Sequence, residues 1–467
     1  MLNDILGQIN DLMYTYLLLF LLLGTGLYFS IRSRFAQVRL MKEGFRILTE
    51  KAEVGDGKRQ VSSFQALMIS TASRVGTGNI AGIATAIAAG GPGAVFWMWV
   101  MAVIGSASAF IESTLAQVYK TKDGKDFRGG PSYYMEKALG KRWMGVLFSV
   151  LLIICFAYGF NGLQSYNMSS ALEYYIPGYS ESSYPMIVGL ILAVGTCLII
   201  FGGVHRIGFI TSVMVPIMAG AYLLMGLFTI VTHLPQLPGI FAMILSEAFD
   251  FQAIFGGMAG SAVVIGIKRG LFSNEAGMGS APNAAASASV SHPAKQGMVQ
   301  VISVFIDTLL ICSATAMMLL LSGVQGEASV LDGIPFVQKA ISANVGTWGI
   351  HFITASIFAF AFSSLIGNYY YAESNILFIK NNKVLLFVFR CTCLLAVFLG
   401  AQADFSLVWN LADITMGCMA IVNIIAILLL GNIALKVLKD YETQKKAGKN
   451  PVFKAENVGI KNTDCWK

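Results

Sequence analysis

Runs of apolar residues about twenty long recur through the chain between short polar stretches, each long enough to cross a bilayer as a helix rising about 1.5 Å per residue. The first covers about 12–31. Ten more follow at about 63–89, 94–118, 143–175, 185–203 and 208–232, then 242–267, 297–323, 348–377, 384–402 and 407–436. One is interrupted: Ser70-Thr-Ala-Ser-Arg-Val-Gly-Thr-Gly-Asn-Ile-Ala-Gly82 is polar and glycine-rich inside an apolar span. Hydrocarbon offers no water to free backbone groups, so a weakened helix is tolerated at that depth only where it is buried in protein or lines a cavity. Arg74 adds a charge there, which marks a pathway or a buried ion pair. A kink with a structural salt bridge is the alternative reading.

Composition agrees with a polytopic membrane protein. Of 467 residues, 56% are hydrophobic and 12% charged, whereas roughly a quarter of residues are charged in soluble domains. The net charge of +7 reflects orientation rather than an acidic partner, and no nucleic acid is expected. With the amino terminus outside and alternating sides, all but two of the 32 Lys and Arg residues fall on or near cytoplasmic segments. The two are Lys339, outside, and Arg74, in the membrane. The first span is not expected to be a cleaved signal peptide, because Asp4 and Asp11 precede it and Lys and Arg do not. The expected location is the plasma (inner) membrane of the cell, with the carboxyl terminus cytoplasmic. The seven cysteines form no CxxC pair, so neither a disulfide framework nor a zinc site is implied.

The ten spans after the first divide into two runs of five, and an odd number per run inverts the second. The segments are then 1–61, an amino-terminal helix with a basic loop; 62–232 and 233–437, the two repeats; and 438–467, a solvated basic tail that can rest on anionic lipid. Inverted-repeat transporters bind substrate at mid-membrane where discontinuous helices meet, and glycine-interrupted segments at matching repeat positions mark the place. Ser70–Gly82 and Gly256-Gly-Met-Ala-Gly-Ser-Ala262 are such a pair. Small-residue packing between helices is the alternative for either alone. Backbone N–H groups at Gly76, Thr77 and Gly78 suit a carboxylate at a half-helix amino terminus. Carbonyls freed around Gly257 and Gly260, with Ser261, suit an ammonium, and the Asn79 amide can bridge ligand and cation. We expect Arg74 to pair with Glu112, Glu275 or Glu373 and to close an inner gate. Asp307 and Asp413 also lie in spans, where most carboxylates are paired with a cation.

No GxxxxGK[ST] loop and no HExxH motif occurs, and Gly76-Thr-Gly78 lacks dinucleotide-site spacing, so the chain is not expected to be an enzyme. A channel is the rival class, since glycine-lined polar breaks also build selectivity filters.

The chain resembles the alanine/glycine:cation symporters, the sodium:alanine symporter family. The likeness is carried by Gly90-Gly-Pro-Gly-Ala-Val-Phe-Trp-Met-Trp-Val-Met-Ala-Val-Ile-Gly105, Arg74-Val-Gly-Thr-Gly-Asn79, Phe127-Arg-Gly-Gly-Pro131 and Arg269-Gly-Leu-Phe-Ser-Asn-Glu-Ala-Gly-Met-Gly-Ser-Ala-Pro282. It covers about 12–440. It implies an all-α, leucine-transporter-like 5+5 inverted repeat with one extra amino-terminal helix, about eleven transmembrane helices in all. It also implies sodium-coupled symport of small neutral amino acids by alternating access, with proton coupling as the alternative. No cofactor is implied beyond sodium as coupling ion, and the carrier is expected to act as a monomer in contact with membrane lipid. By the same resemblance Gln164 faces the substrate with Phe160 nearby, an interhelical hydrogen bond being the other reading for Gln164. Ser363 and Ser364 would supply sodium with hydroxyls, and Ala72 and Val75 with backbone carbonyls; helix-internal serine bonding remains the alternative. Asn368 stands where many relatives carry tryptophan. That departure implies a roomier, more polar pocket admitting serine or glutamine beside alanine and glycine, unless Asn368 bonds a neighbouring helix.

Overall fold

The computed structural model describes residues 2–50, 54–55, 58–124, 126–201, 203–250, 261–324 and 333–466. The described residues are almost entirely helical, with two short hairpins, Val54–Gly55 with Lys58–Arg59 and Thr121–Asp123 with Asp126–Arg128, that alternation of polarity does not foretell. Among the described residues, eight helices are long and apolar enough to cross a membrane unaided. In chain order we label the elements that matter here α1 (Asn3–Arg32), α2 (Ser63–Arg74), α3 (Ala81–Gly90), α4 (Gly93–Val118), α5 (Arg142–Ser170), α6 (Tyr184–Ile200) and α7 (Gly203–Thr232). They continue as α8 (Ala262–Asn274), α9 (Pro282–Ser287), α10 (Ala294–Leu320), α11 (Trp348–Ile379), α12 (Lys383–Gly400) and α13 (Phe405–Lys446).

Local sequence sets the ends of these helices. Ser62 starts α2 with a capping box: its hydroxyl accepts from the Gln65 N–H, and the Gln65 side chain accepts from the Ser62 N–H. Asn382 and Asp404 cap α12 and α13 in the same manner through their side-chain oxygens. Between α2 and α3 the helix comes apart over Val75–Ile80, with only a 3-10 turn at Thr77–Asn79. Between α8 and α9 it comes apart again. Glu275 turns left-handed at φ +55°, and Gly277 and Gly279 follow at +84° and +88°, where glycine carries no Cβ penalty. A Cβ on Gly279 would also lie 2.8 Å from the Asn423 side chain. Pro282 restarts the helix at the first turn of α9, where a missing N–H costs nothing.

The second break expected at Gly256–Ala262 lies outside the described residues except for Ser261 and Ala262. There Ser261 caps α8, its hydroxyl accepting from the Val264 N–H at 3.4 Å. The helix Leu237–Ala248 ends before that stretch and α8 begins at its end, and the structure describes a further break one helix along, between α8 and α9. α2 packs on α9 and α3 on α8, so each broken helix lies beside the other. α4 runs along α8 and α10, while α5 and α11 close the site from the other side. Large apolar side chains stand exposed on the outer faces of α6, α7 and α12, Leu198, Ile217 and Phe387 among them, a surface suited to lipid.

The tail expected to stand in solvent folds back on the protein. The Trp466 indole donates to the Gln117 carbonyl at 2.7 Å, Lys137 meets Asp464 at 2.8 Å, and the Phe453 N–H donates to the Ser291 carbonyl at 2.9 Å. Phe453 and Trp466 bury their rings against one another, 5.5 Å between centroids. Apolar burial outweighs the charge of this segment, which composition alone had made the deciding feature.

Candidate functional site

The two breaks meet. Ser73, one residue before the end of α2, donates to Glu275 Oε1 at 3.0 Å and to the Asn368 side-chain oxygen at 2.7 Å. Around the first break the freed N–H groups have named partners: Gly76 donates to Asn79 Oδ1 at 3.0 Å, and Thr77 to Gln164 Oε1 at 3.0 Å. Asn167 of α5 donates to the Thr77 hydroxyl at 2.8 Å. Gln164 is thus seated on the first break. Gly78 is pressed against the Phe272 ring, where a Cβ would come within 2.4 Å. Phe272 lies between Phe160 and Trp409, with ring centroids 4.8 and 5.2 Å away, so the three form one apolar wall.

Ser364 of α11 lies against the carbonyls exposed at the end of α2. Its hydroxyl donates to Ala72 O at 3.0 Å, with Ser73 O at 3.2 Å and Val75 O at 3.5 Å. These oxygens converge as a hard cation requires. Ser363 points elsewhere, donating to the Phe360 carbonyl at 2.8 Å and lying 3.6 Å from the Met218 sulfur. The Asn368 amide accepts from Ser73 and donates to Asn161 of α5 at 3.0 Å, the interhelical bonding that was its alternative reading.

The expected ion pairs of Arg74 require correction. Its guanidinium is buried and donates to the Gln300 side chain at 3.2 Å, while Nε and Nη2 find no hydrogen-bond partner among the described residues. Glu373 pairs with Arg390 of α12 at 3.0 Å. Glu112 of α4 accepts from the Gly277 N–H at 3.2 Å and the Asn423 amide at 2.7 Å, and so is bound to the second break. Glu275 accepts from Ser73 and from Ser280 at 2.5 Å. Arg74 acts on Glu112, Glu275 and Asp307 through its field rather than by contact. Lys268 and Arg269, which loop counting had assigned to a cytoplasmic segment beside Glu275, lie inside α8. They meet Asp413 at 2.9 and 2.6 Å, and Arg269 stacks over Trp409 at 4.5 Å.

Gly257 and Gly260 lie outside the described residues, and Ser261 stands a full helix before the described break. Sequence reasoning missed Ser273 and Asn423, and it placed Asp307 among carboxylates expected to pair with a cation, whereas Asp307 accepts from Asn79 Nδ2 at 2.7 Å and Ser273 Oγ at 2.5 Å. The signal available was the run Asn274-Glu-Ala-Gly-Met-Gly-Ser280, which also interrupts an apolar pattern. Among the described residues no group of three His, Cys, Asp or Glu side chains could hold a metal ion.

The sodium:alanine symporter family model matches residues 1–455. The chain is 49% identical over 466 residues to the amino-acid carrier protein AlsT of Bacillus subtilis, covering 100% of this chain and 98% of that protein. It is 49% identical to the probable sodium/glutamine symporter GlnT of the same organism, with 100% and 96% covered. It is 35% identical to the sodium/alanine symporter AgcS of Methanococcus maripaludis, with 96% and 99% covered. In fold it is similar to a mutant of the Eremococcus coleocola manganese transporter, at TM-score 0.54 and 14% identity over 86% of this chain and 84% of that one.

Proposed function

The chain belongs to the sodium:alanine symporter family, and from that premise we propose how its two helix breaks carry a small neutral amino acid together with sodium. It is a sodium-coupled amino-acid symporter, a transporter and not an enzyme. Alanine and glycine are the proposed substrates. The architecture is read as a leucine-transporter-like pair of inverted five-helix repeats behind α1, with the broken helices α2–α3 and α8–α9 opening the two repeats. Counting each broken helix once gives eleven crossings, and the face that carries the hairpins and the tail is cytoplasmic.

The observation that carries this reading is the Ser73–Glu275 contact, which brings the two breaks together at 3.0 Å. A substrate carboxylate takes the Gly76 and Thr77 N–H groups by exchanging with the Asn79 and Gln164 amides that now accept from them. Carbonyls freed at the second break, with Glu275, receive the ammonium. Phe160, Phe272 and Trp409 set the apolar limit on side-chain size. Sodium is held by Ala72 O, Ser73 O, Val75 O and Ser364 Oγ once that hydroxyl turns its lone pairs inward, and Ser363 is not a ligand in this arrangement. Saturable alanine uptake that is stimulated by alanine on the opposite side tests the carrier mechanism, because a channel shows no exchange.

A further inference from the structure

Asp307 lies in the π-helical stretch Phe305–Cys312 of α10 and is fully buried. Its carboxylate accepts from Asn79 Nδ2 at 2.7 Å, Ser273 Oγ at 2.5 Å and Thr308 Oγ1 at 3.0 Å, all neutral groups. No Lys, Arg or His stands within ion-pair distance of it among the described residues. An ionised carboxylate in such surroundings carries a large desolvation cost, which a bound cation relieves.

The charged and titratable groups around it are accounted for. Cys312 shares its helix and touches Ser273 and Asn79. Arg74 and Glu275 act on it from the two broken helices. From α4, Glu112 is turned to Gly277; from α8, Lys268 and Arg269 are committed to Asp413; from α7, Tyr222 bonds Thr315. Arg74 is therefore the cation set against three buried carboxylates, and two of its nitrogens, Nε and Nη2, lack hydrogen-bond partners among the described residues.

We propose that Asp307 is a proton-binding site of this symporter, coupled to the first helix break through Asn79. The chemistry of its shell selects the proton over sodium: an amide N–H, two hydroxyls and a thiol at its edge make a poor cage for a hard metal ion. Two rotatable hydroxyls can instead reverse and accept from a carboxylic acid. The coupling is direct, because the amide that donates to Asp307 accepts the Gly76 N–H through its oxygen. With Asp307 ionised, a charge-assisted bond fixes Asn79 in that role. Proton binding to a carboxylate oxygen makes the bond neutral and weaker, which frees Asn79 to release Gly76 to the substrate. The proton enters from one side of the membrane and leaves to the other unchanged.

The inference rests on the symporter reading, and the test separates the two. Proteoliposomes containing a pH dye receive alanine and sodium outside, and labelled alanine and lumenal acidification are followed together. The wild-type protein should acidify the lumen in proportion to alanine, and Asp307→Asn should lower the proton-to-alanine ratio at least tenfold and flatten uptake between pH 6 and 8.5. Sodium-driven alanine uptake without acidification in the wild type would leave the symporter reading standing and overturn the proton site. An unchanged ratio in Asp307→Asn would also overturn it, as would a changed sodium-to-alanine ratio with proton movement intact. Should Asp307→Asn fail to fold, Asp307→Glu must shift the pH midpoint of uptake, and an unshifted midpoint counts against the proposal.

Discussion

The Ser364 hydroxyl lies 3.0 Å from the Ala72 carbonyl, while its neighbour Ser363 faces Met218 and the Phe360 carbonyl. Adjacent serines on one helix therefore have different fates. A hydrogen-bonding group that serves a charged partner contributes about 1.5 to 3 kcal/mol. Ser364→Ala should raise the sodium concentration for half-maximal alanine uptake by about 10- to 150-fold on that basis. Ser363→Ala should raise it by less than threefold in the same sodium titration.

Gly78 offers a steric test of the apolar wall. A methyl group there would overlap the Phe272 ring, and overpacking of this kind costs about 1 to 3 kcal/mol. Gly78→Ala should abolish or strongly reduce alanine uptake. Gly78→Ala with Phe272→Leu should recover part of it, and radiolabelled uptake in vesicles reads both.

Asp413 answers two cations at once, and its removal would leave Lys268 and Arg269 buried without their carboxylate. Stranding a buried charge costs about 3 to 5 kcal/mol. Asp413→Asn should lower the Tm of the purified protein clearly in a thermal-shift measurement. Asp464→Asn removes an exposed partner of Lys137 and should leave Tm almost unchanged.

The tail has a pH dependence of its own. Burial pushes the His292 imidazole down to about 4, against an opposing pull from Asp440, whose Oδ2 lies 3.2 Å from Nε2. The folded state thus keeps His292 neutral where the unfolded chain, near pH 6.5, already takes a proton. The stability from this site is complete above about pH 6.5 and falls as the pH drops toward 4. Phe453 packs on the His292 ring at 5.2 Å, so acid should loosen the tail. Proteolysis of the tail, followed from pH 8 to 5, should accelerate in the wild type and less so in His292→Asn.

Much of this was legible in the sequence, for physical reasons. Long apolar helices could be read because hydrocarbon demands long apolar runs, and the first break because Arg74 and five other polar residues, Ser70, Thr71, Ser73, Thr77 and Asn79, interrupt one. The expected break at Gly256–Ala262 lies outside the described residues but for its last two, where an extended Ser261 starts α8 after the helix Leu237–Ala248 has ended. The further break before α9 was not read, because it depends on Glu275 in a left-handed turn, a conformation that sequence does not announce for glutamate. Lys268 and Arg269 were misread for a related reason: pattern alone cannot show that Asp413, about 145 residues away in the chain, lies beside them. The Gln164 contact with Thr77 was expected only from family resemblance, since a lone amide in an apolar helix has many uses.

Sodium-driven accumulation is the most direct test of the account. One sodium entering at 100 mV contributes about 2.3 kcal/mol, and a tenfold gradient adds about 1.4 kcal/mol. Together, ~3.7 kcal/mol from sodium alone supports roughly 500-fold accumulation of alanine at equilibrium, and a proton entering with it at that potential adds about 2.3 kcal/mol. In proteoliposomes under those gradients the account predicts uptake well above equilibration with sodium outside, and none above equilibration when choline replaces it. Equal uptake in sodium and in choline would contradict it.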